Sequence, residues 1–144
     1  MTMYQRQFDV SADSFATTDA SSGYKYPILL AEGYIWTIDT FFVQAQTNYA
    51  AADTNYQTFT LADSSGNAIA SVANGPATGG LAIGPAVVTG TDESMTAAYQ
   101  DIDCTDGAGT VYVYTAATGA GLAMLGIKFT VLATPKRKGL ADLS

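Results

Sequence analysis

The chain has 144 residues and contains no histidine, a single cysteine and few charged side chains. Without histidine it lacks the side chain that most often acts as an acid or base near neutral pH and most often binds metals. Its one cysteine, Cys104, can neither close a disulfide within the chain nor build a thiolate zinc site, and no histidine is present to activate it. We therefore expect a non-enzymatic protein with no catalytic residue, cofactor or metal.

Charge is scarce and mostly negative. Charged residues account for 13% of the chain, about half the usual quarter, and 13 acids against 6 bases give a net charge of −7. No region carries the dense positive field that nucleic-acid binding needs. We expect no nucleic-acid partner.

Long apolar runs are also missing. The two most apolar stretches, residues 35–45 and 122–133, contain Asp39 and Lys128 and are shorter than the ~20 residues that a membrane helix needs. The N-terminus reaches a carboxylate at Asp9 without the long apolar core of a secretory signal. A chain made in the cytoplasm, with no membrane partner, is therefore expected.

The sequence does contain the two-residue alternation of β-strands. The clearest example is residues 125–133, whose apolar side chains share one face: Leu125, Ile127, Phe129, Val131 and Ala133. Pro135 should end this strand, because proline cannot donate to a ladder. Residues 34–44 are apolar on both faces, which is typical of a central strand in a sandwich or of a strand beneath a partner subunit.

Turn residues between the strands predict two hairpins. Asp63 to Asn67 should join residues 56–61 to 68–72, and residues 118–121 should join 111–115 to the last strand. Residues 3–10, 26–30, 86–89 and 96–102 are weaker strand candidates, and residues 92–99 are the best candidate for a short helix.

Together these signals predict one all-β domain: an antiparallel β-sandwich or jelly roll of eight or nine short strands with little helix. Residues 24–135 would form the sandwich, residues 1–23 an N-terminal arm or edge segment, and residues 136–144 a short basic tail. Within these, residues 11–23 read as a loop or arm and residues 74–84 as an irregular loop. The predicted core comprises Trp36, Ile38, Phe42, Phe59, Leu61, Val113, Leu125, Ile127, Phe129 and Val131.

One acidic turn could hold a cation. Asp101, Asp103 and Asp106 lie close in sequence beside Gly107, and calcium prefers clustered oxygen ligands. The spacing departs from an EF-hand, because Thr105 stands where that motif has its third acid. A solvated acidic turn is the competing interpretation, and we expect no metal there.

Tyrosines are the most suggestive side chains for binding. Tyr24, Tyr26, Tyr34, Tyr49 and Tyr56 lie near predicted strand ends or loops. Amphipathic rings at such places favour protein interfaces, stack on sugars, or simply pack at the rim of a sandwich. The sequence leaves these three uses open.

The two termini offer rival anchors for a partner. The N-terminal segment carries Tyr4, Arg6 and Phe8, and we expect it to lie along a neighbouring subunit or the capsid, with backbone hydrogen bonds and two aromatic anchors. A free tail and an edge strand of its own domain are the alternatives. The C-terminal tail carries Lys136, Arg137 and Lys138, half of the six bases in the chain, and could dock on an acidic surface or act only as a solubilising end.

Three segments share a texture of short Ala-, Thr- and Gly-rich strands: residues 56–70 (YQTFTLADSSGNAIA), 79–84 (GGLAIG) and 119–131 (GAGLAMLGIKFTV). With the absence of histidine and of a signal peptide, they make residues 30–135 resemble the capsid decoration (head cement) proteins of bacteriophages. Parts of tail tubes, necks, head fibres and bacterial adhesive, glycan-binding modules have a similar texture.

The resemblance implies a non-enzymatic virion protein on the outer capsid surface. It would bind the major capsid protein lattice between capsomers and stabilise it. It also implies a homo-oligomer, often a trimer, with a terminal arm that reaches a neighbouring subunit. The family carries no invariant binding residue, so the resemblance assigns no position in this chain.

Overall fold

The computed structural model describes residues 4–15, 25–75 and 95–137. In this part of the chain the regular structure is eight strands and one turn of 3₁₀ helix at Ala97–Tyr99. The strands are β1 (Arg6–Phe15), β2 (Lys25–Leu30), β3 (Ile35–Gln44), β4 (Tyr56–Ala62), β5 (Ala68–Ala73), β6 (Asp101–Asp103), β7 (Gly109–Thr118) and β8 (Met124–Lys136).

The strands form two antiparallel sheets that pack face to face. The order is β1-β8-β3-β6 in the first sheet, here called the β1 sheet, and β2-β7-β4-β5 in the second, the β2 sheet. The first strand pairs with the last, the second with the seventh, the third with the sixth and the fourth with the fifth. This is a long hairpin rolled into a two-sheet jelly roll, so the predicted fold class is confirmed.

Aromatic rings from both sheets meet between them. Phe129 of β8 lies 5.2 Å from the ring of Tyr26, 5.4 Å from Phe59 and 6.4 Å from Phe41, measured between ring centroids. Tyr26 and Phe59 belong to the opposite sheet, so Phe129 joins the two layers. The predicted core is confirmed at eight positions: Trp36, Ile38, Phe59, Leu61, Val113, Ile127, Phe129 and Val131.

One predicted core residue is wrong, and its neighbour takes its place. The pairing of β3 with β8 shifts register between Ile38 and Thr40, so Asp39 is an extra residue in the strand. Such a β-bulge reverses the alternation beyond it. Phe41 is therefore fully buried, whereas Phe42 lies on the opposite face and is only partly buried. The side chain of Leu125, the other predicted core residue, lies outside the described residues.

The predicted hairpin through residues 118–121 is also wrong. β7 belongs to the β2 sheet and β8 to the β1 sheet, so this turn carries the chain from one layer to the other. Gly119 has φ of +62°, and a Cβ there would lie 2.3 Å from the backbone oxygen of Thr54. Asn55 also accepts a hydrogen bond from the amide of Ala120 through its Oδ1. Thr54 and Asn55 therefore lie against the turn in which the chain crosses from one sheet to the other.

The weaker strand and helix candidates agree with the structure only in part. Residues 26–30 lie in β2, and the strand candidate at 3–10 lies in β1 over residues 6–10. β1 pairs with β8 of the same chain and continues to Phe15. Residues 6–15 are therefore an edge strand of their own domain, and the loop expected from residue 11 is wrong up to Phe15. The expected helix at 92–99 is the single 3₁₀ turn over its last three residues, followed by β6. Residues 16–24 and 76–94, including the candidate strand at 86–89, lie outside the described residues.

The hairpin of β4 and β5 is confirmed, and Asp63 organises its turn. The Asp63 carboxylate accepts hydrogen bonds from the amides of Ser65 and Asn67 and from the Asn67 side chain, at 2.8–3.0 Å. Partial burial acts to raise the pKa of Asp63, but these hydrogen bonds outweigh it and hold the pKa below its usual value of 3.8. The ionised carboxylate therefore stabilises this turn.

The bulge at Asp39 can be tested with two adjacent phenylalanines. We expect Phe41→Ala to lower the free energy of unfolding by about 3–5 kcal/mol, because it empties a buried site. Phe42→Ala should cost about 1 kcal/mol, the usual size for a partly buried position. Urea unfolding of both variants measures the difference. Similar losses for the two would mean that the alternation is not reversed after Asp39.

Asp63 should make the stability of the hairpin depend on pH. Because its folded pKa is lowered, its contribution is present above the unfolded pKa near 3.8 and is lost as the pH falls through the folded value. Asp63→Ala should cost about 1 kcal/mol at pH 7 and clearly less at pH 2, measured by urea unfolding. Ser64→Ala, in the same turn, is the control and should change little at either pH. A loss for Asp63→Ala that is equal at both pH values would contradict this role.

Candidate partner-binding cleft

The pairing of the first and last strands brings both ends of the jelly roll's chain to one place. Arg6 lies opposite Ala133, and Pro135 lies opposite Trp36 at the start of β3. Between these strand ends is a cleft of about 630 Å³ lined by residues 5–8, Ala31, Tyr34, Trp36 and Pro135. We call it the terminal cleft. Its volume lies within the range of ~300–1,000 Å³ that is usual for ligand pockets.

Three aromatic rings pack at the base of the terminal cleft. Trp36 is 4% exposed and donates a hydrogen bond of 2.9 Å from its Nε1 to the carbonyl oxygen of Ala31. Phe8 meets it edge-on at 5.2 Å and 85°, and Tyr34 at 5.7 Å and 63°. These contacts come from β1, β3 and the loop before β3, so the base of the cleft is held by three separate parts of the chain.

Backbone hydrogen bonds to Cys104 hold the loop that carries Tyr34. The Gly33 amide donates to the carbonyl oxygen of Cys104, and the Cys104 amide donates to that of Tyr34, both at 2.8 Å. The Cys104 side chain is fully buried, and burial raises the pKa of its thiol. A Cβ at Gly109 would lie 2.6 Å from its Sγ. Cys104 therefore acts in packing and keeps the wall of the cleft in place.

Two arginines lie at the terminal cleft although the whole chain is acidic. Arg6 lines it, and the guanidinium of Arg137 lies 6.0 Å from the centroid of the Tyr34 ring, within cation–π range. Lys136 follows Pro135 and pairs with Asp101 at 3.6 Å. None of the described lining residues is an acid. The cleft can thus accept an apolar group that carries a negative charge.

A hydrogen-bonded carboxylate positions Gln5 at the mouth of the cleft. Asp39, the bulged residue of β3, accepts hydrogen bonds from Gln5 at 2.9 Å and from the Thr134 hydroxyl at 2.6 Å. Farther along the same face, Asp9 accepts a hydrogen bond of 2.7 Å from Thr130. Polar contacts of this kind tie β1 to β8 and β3 on the outer face of the β1 sheet.

The pKa of Asp9 reflects the same contacts. Partial burial acts to raise it, but hydrogen bonds from Thr130 and Gln7 and the charge of Lys128 outweigh this effect and lower the pKa. Asp9 is therefore a structural carboxylate, ionised at neutral pH, whose bonds hold β1 against β8.

The structure brings together anchors that the sequence presented as rivals. Arg6 and Phe8 from the N-terminal segment and Arg137 from the basic tail all lie at the terminal cleft. Tyr4 precedes them and is 74% exposed. Lys138 lies outside the described residues. Tyr34 was among the suggestive tyrosines, but nothing in the sequence pointed to Ala31 or Pro135 as part of a site.

The acidic turn does not form a metal site in the described structure. Asp101 accepts a hydrogen bond of 2.7 Å from Thr37 and pairs with Lys136, whereas Asp103 accepts one of 2.9 Å from the amide of Thr105. No three acidic or cysteine side chains among residues 4–15, 25–75 and 95–137 come close enough together to hold a metal ion. The carboxylates of this turn serve local hydrogen bonds and an ion pair instead.

Comparisons with known proteins add no relative. No protein-family model, no curated protein and no solved structure matches the chain. No helix in the described part of the chain is long and apolar enough to cross a membrane. The function of the terminal cleft is therefore inferred from the residues that line it.

Phe8 should be the side chain that shields Trp36, the single tryptophan of the chain. We expect Phe8→Ala to shift Trp36 fluorescence to longer wavelength, because water reaches the indole once the edge-on ring is removed. It should also lower the free energy of unfolding by about 1–3 kcal/mol. Tyr4→Ala removes a ring that is 74% exposed and is the control, with no expected shift. An unchanged spectrum for Phe8→Ala would contradict this packing.

Proposed function

We propose that this chain is a non-enzymatic structural protein of a phage virion that decorates the capsid and stabilises it by binding between capsomers. The observation that carries the proposal is the terminal cleft, where Arg6 and Phe8 of the N-terminal segment and Arg137 of the basic tail lie together at one end of the jelly roll. Jelly rolls serve widely in viral capsids and in lectins, which supports the proposal by analogy of fold. The resemblance of residues 56–70 and 119–131 to decoration proteins supports it further.

The mechanism would be reinforcement of the lattice. A protein that binds only the assembled capsid raises the cost of separating neighbouring capsomers. Specific protein interfaces bury about 1,200–2,000 Å² of surface in total. Within such an interface a few residues, often aromatic residues or arginines, contribute most of the binding energy. Phe8, Tyr34 and the two arginines at the terminal cleft are side chains of this kind. A homo-oligomer is part of the proposal, and the resemblance to decoration proteins, which are often trimers, is what suggests it.

A glycan-binding module is the second use of jelly rolls to consider. A sugar site would be expected as a groove of exposed tyrosine and acidic side chains. Here Trp36 is 4% exposed beneath Phe8 and Tyr34, and none of the described lining residues is an acid. These features favour a protein partner over a sugar. A subunit of another phage part, such as a tail tube, neck or head fibre, is the remaining candidate. It would be distinguished from a decoration protein by its location on the virion.

Binding to capsids tests the proposal directly. Purified protein should co-sediment with expanded capsids of the phage that encodes it, saturate at a fixed copy number, and raise the temperature at which those capsids break. Phe8→Ala should weaken binding at least roughly tenfold, as expected for a central anchor. Lys128→Gln, which removes a cation of β8 that does not line the terminal cleft, is the control and should bind normally.

Three results would contradict the proposal. The protein could fail to bind capsids, it could be found on tails or fibres rather than on the head, or it could bind a glycan array with specificity that Phe8→Ala removes. The first result rules out capsid decoration, the second points to another phage part, and the third points to a glycan-binding module.

A further inference from the structure

The four sheet edges of the jelly roll differ in how they are protected. β2 has Pro27 in its middle, and proline removes a donor from an edge. The amide of Thr96 donates to the carbonyl oxygen of Ile69 at 2.7 Å, which covers part of β5. β6 has only three residues. Short, proline-containing or covered edges resist pairing with another chain.

β1 has none of these protections in the described structure. It is ten residues long, contains no proline, and pairs along one side with β8 from Arg6 to Phe15. It ends the β1 sheet, and none of the described residues pairs with its other side. An edge of this length is a template for an added strand. The terminal cleft opens beside the first residues of this same strand.

The charge at this end indicates what kind of strand would fit. Arg6 and Arg137 lie at the terminal cleft, and the described lining residues contribute no acid. Arginine binds carboxylates through two parallel hydrogen bonds, and contact with Tyr34 helps hold the Arg137 guanidinium in place. The aromatic base of the cleft suits an apolar side chain. A segment with a carboxylate beside an apolar residue therefore matches both features.

We propose that β1 and the terminal cleft bind an extended segment of the partner protein by strand addition. The segment pairs its backbone with β1, places an apolar side chain in the cleft, and pairs a carboxylate with Arg6 and Arg137. Backbone hydrogen bonds supply affinity in this mode, and the pocket and charges select the sequence. The identity of the partner as a capsid protein rests on the proposed function, whereas the chemistry of the segment rests on the cleft alone.

A pair of peptides that differ only in charge tests the chemistry. The probe is N-acetyl-Thr-Val-Thr-Phe with a free C-terminal carboxylate, and its control is the same peptide with a C-terminal amide. Trp36 fluorescence reports binding, because the chain has no other tryptophan and the probe has none. We expect the free acid to bind at least roughly tenfold tighter than the amide, because a hydrogen bond to a charged group contributes enough binding energy for such a difference. High salt should reduce this preference.

Variants and hydrogen exchange locate the binding. Arg6→Gln and Arg137→Gln should each reduce the preference for the acid while leaving the urea midpoint unchanged, and Lys128→Gln should retain it. Bound peptide should slow amide exchange in β1, which is the mark of strand addition. Failure of the free acid to bind, equal binding of acid and amide, or a preference that survives both arginine variants would overturn the carboxylate site. Binding without protection of β1 would overturn the strand addition.

The test separates this inference from the proposed function. A protein that loads onto capsids but shows no preference between the two peptides would keep its proposed function and lose this binding mode. A protein that prefers the acid but does not bind capsids would keep the binding mode, with a different partner.

Discussion

The antiparallel pairing of β1 with β8 is the constraint on which the rest of the structure depends. It closes the rolled hairpin, so that residues from the two ends of the chain lie side by side, as in the hydrogen bond between Asp9 and Thr130 across 121 positions. It also sets the terminal cleft between the start of β1 and the end of β8. Such distant contacts form only after a long loop has closed, which favours slow folding. The terminal cleft therefore forms only once β1 has paired with β8 and the jelly roll is closed.

The bulge at Asp39 joins the core to this end of the molecule. Without the extra residue, strict alternation would bury Phe42 and turn Phe41 outward. With it, Phe41 stacks toward Phe129 in the core, and the Asp39 carboxylate on the outer face bonds to Gln5 and Thr134. One irregularity thus serves both the packing between the sheets and the position of a residue at the mouth of the cleft.

Local patterns in the sequence were enough to predict most of the strands and the pairing of β4 with β5, but not the other pairings. Alternation identifies residues 125–133 and 56–61 because the period is short and one face is apolar. It cannot show that residues 118–121 cross between sheets, since the turn residues are those of a hairpin. A search for apolar faces also misses buried Gln57, whose side-chain amide has no hydrogen-bond partner among the described residues. The cleft draws on residues 5–8, 31–36 and 135, which only the topology brings together.

The packing at the base of the terminal cleft bears on how a lattice-binding protein could work. The Trp36 hydrogen bond and the two backbone hydrogen bonds between residues 33–34 and Cys104 hold its aromatic base in place before a partner binds. An extended partner segment must still lose its own conformational freedom, which limits the affinity of each contact. On a capsid, a homo-oligomer would repeat the contact with fixed spacing. Several modest contacts made at once then bind far more tightly than one, without any single strong site.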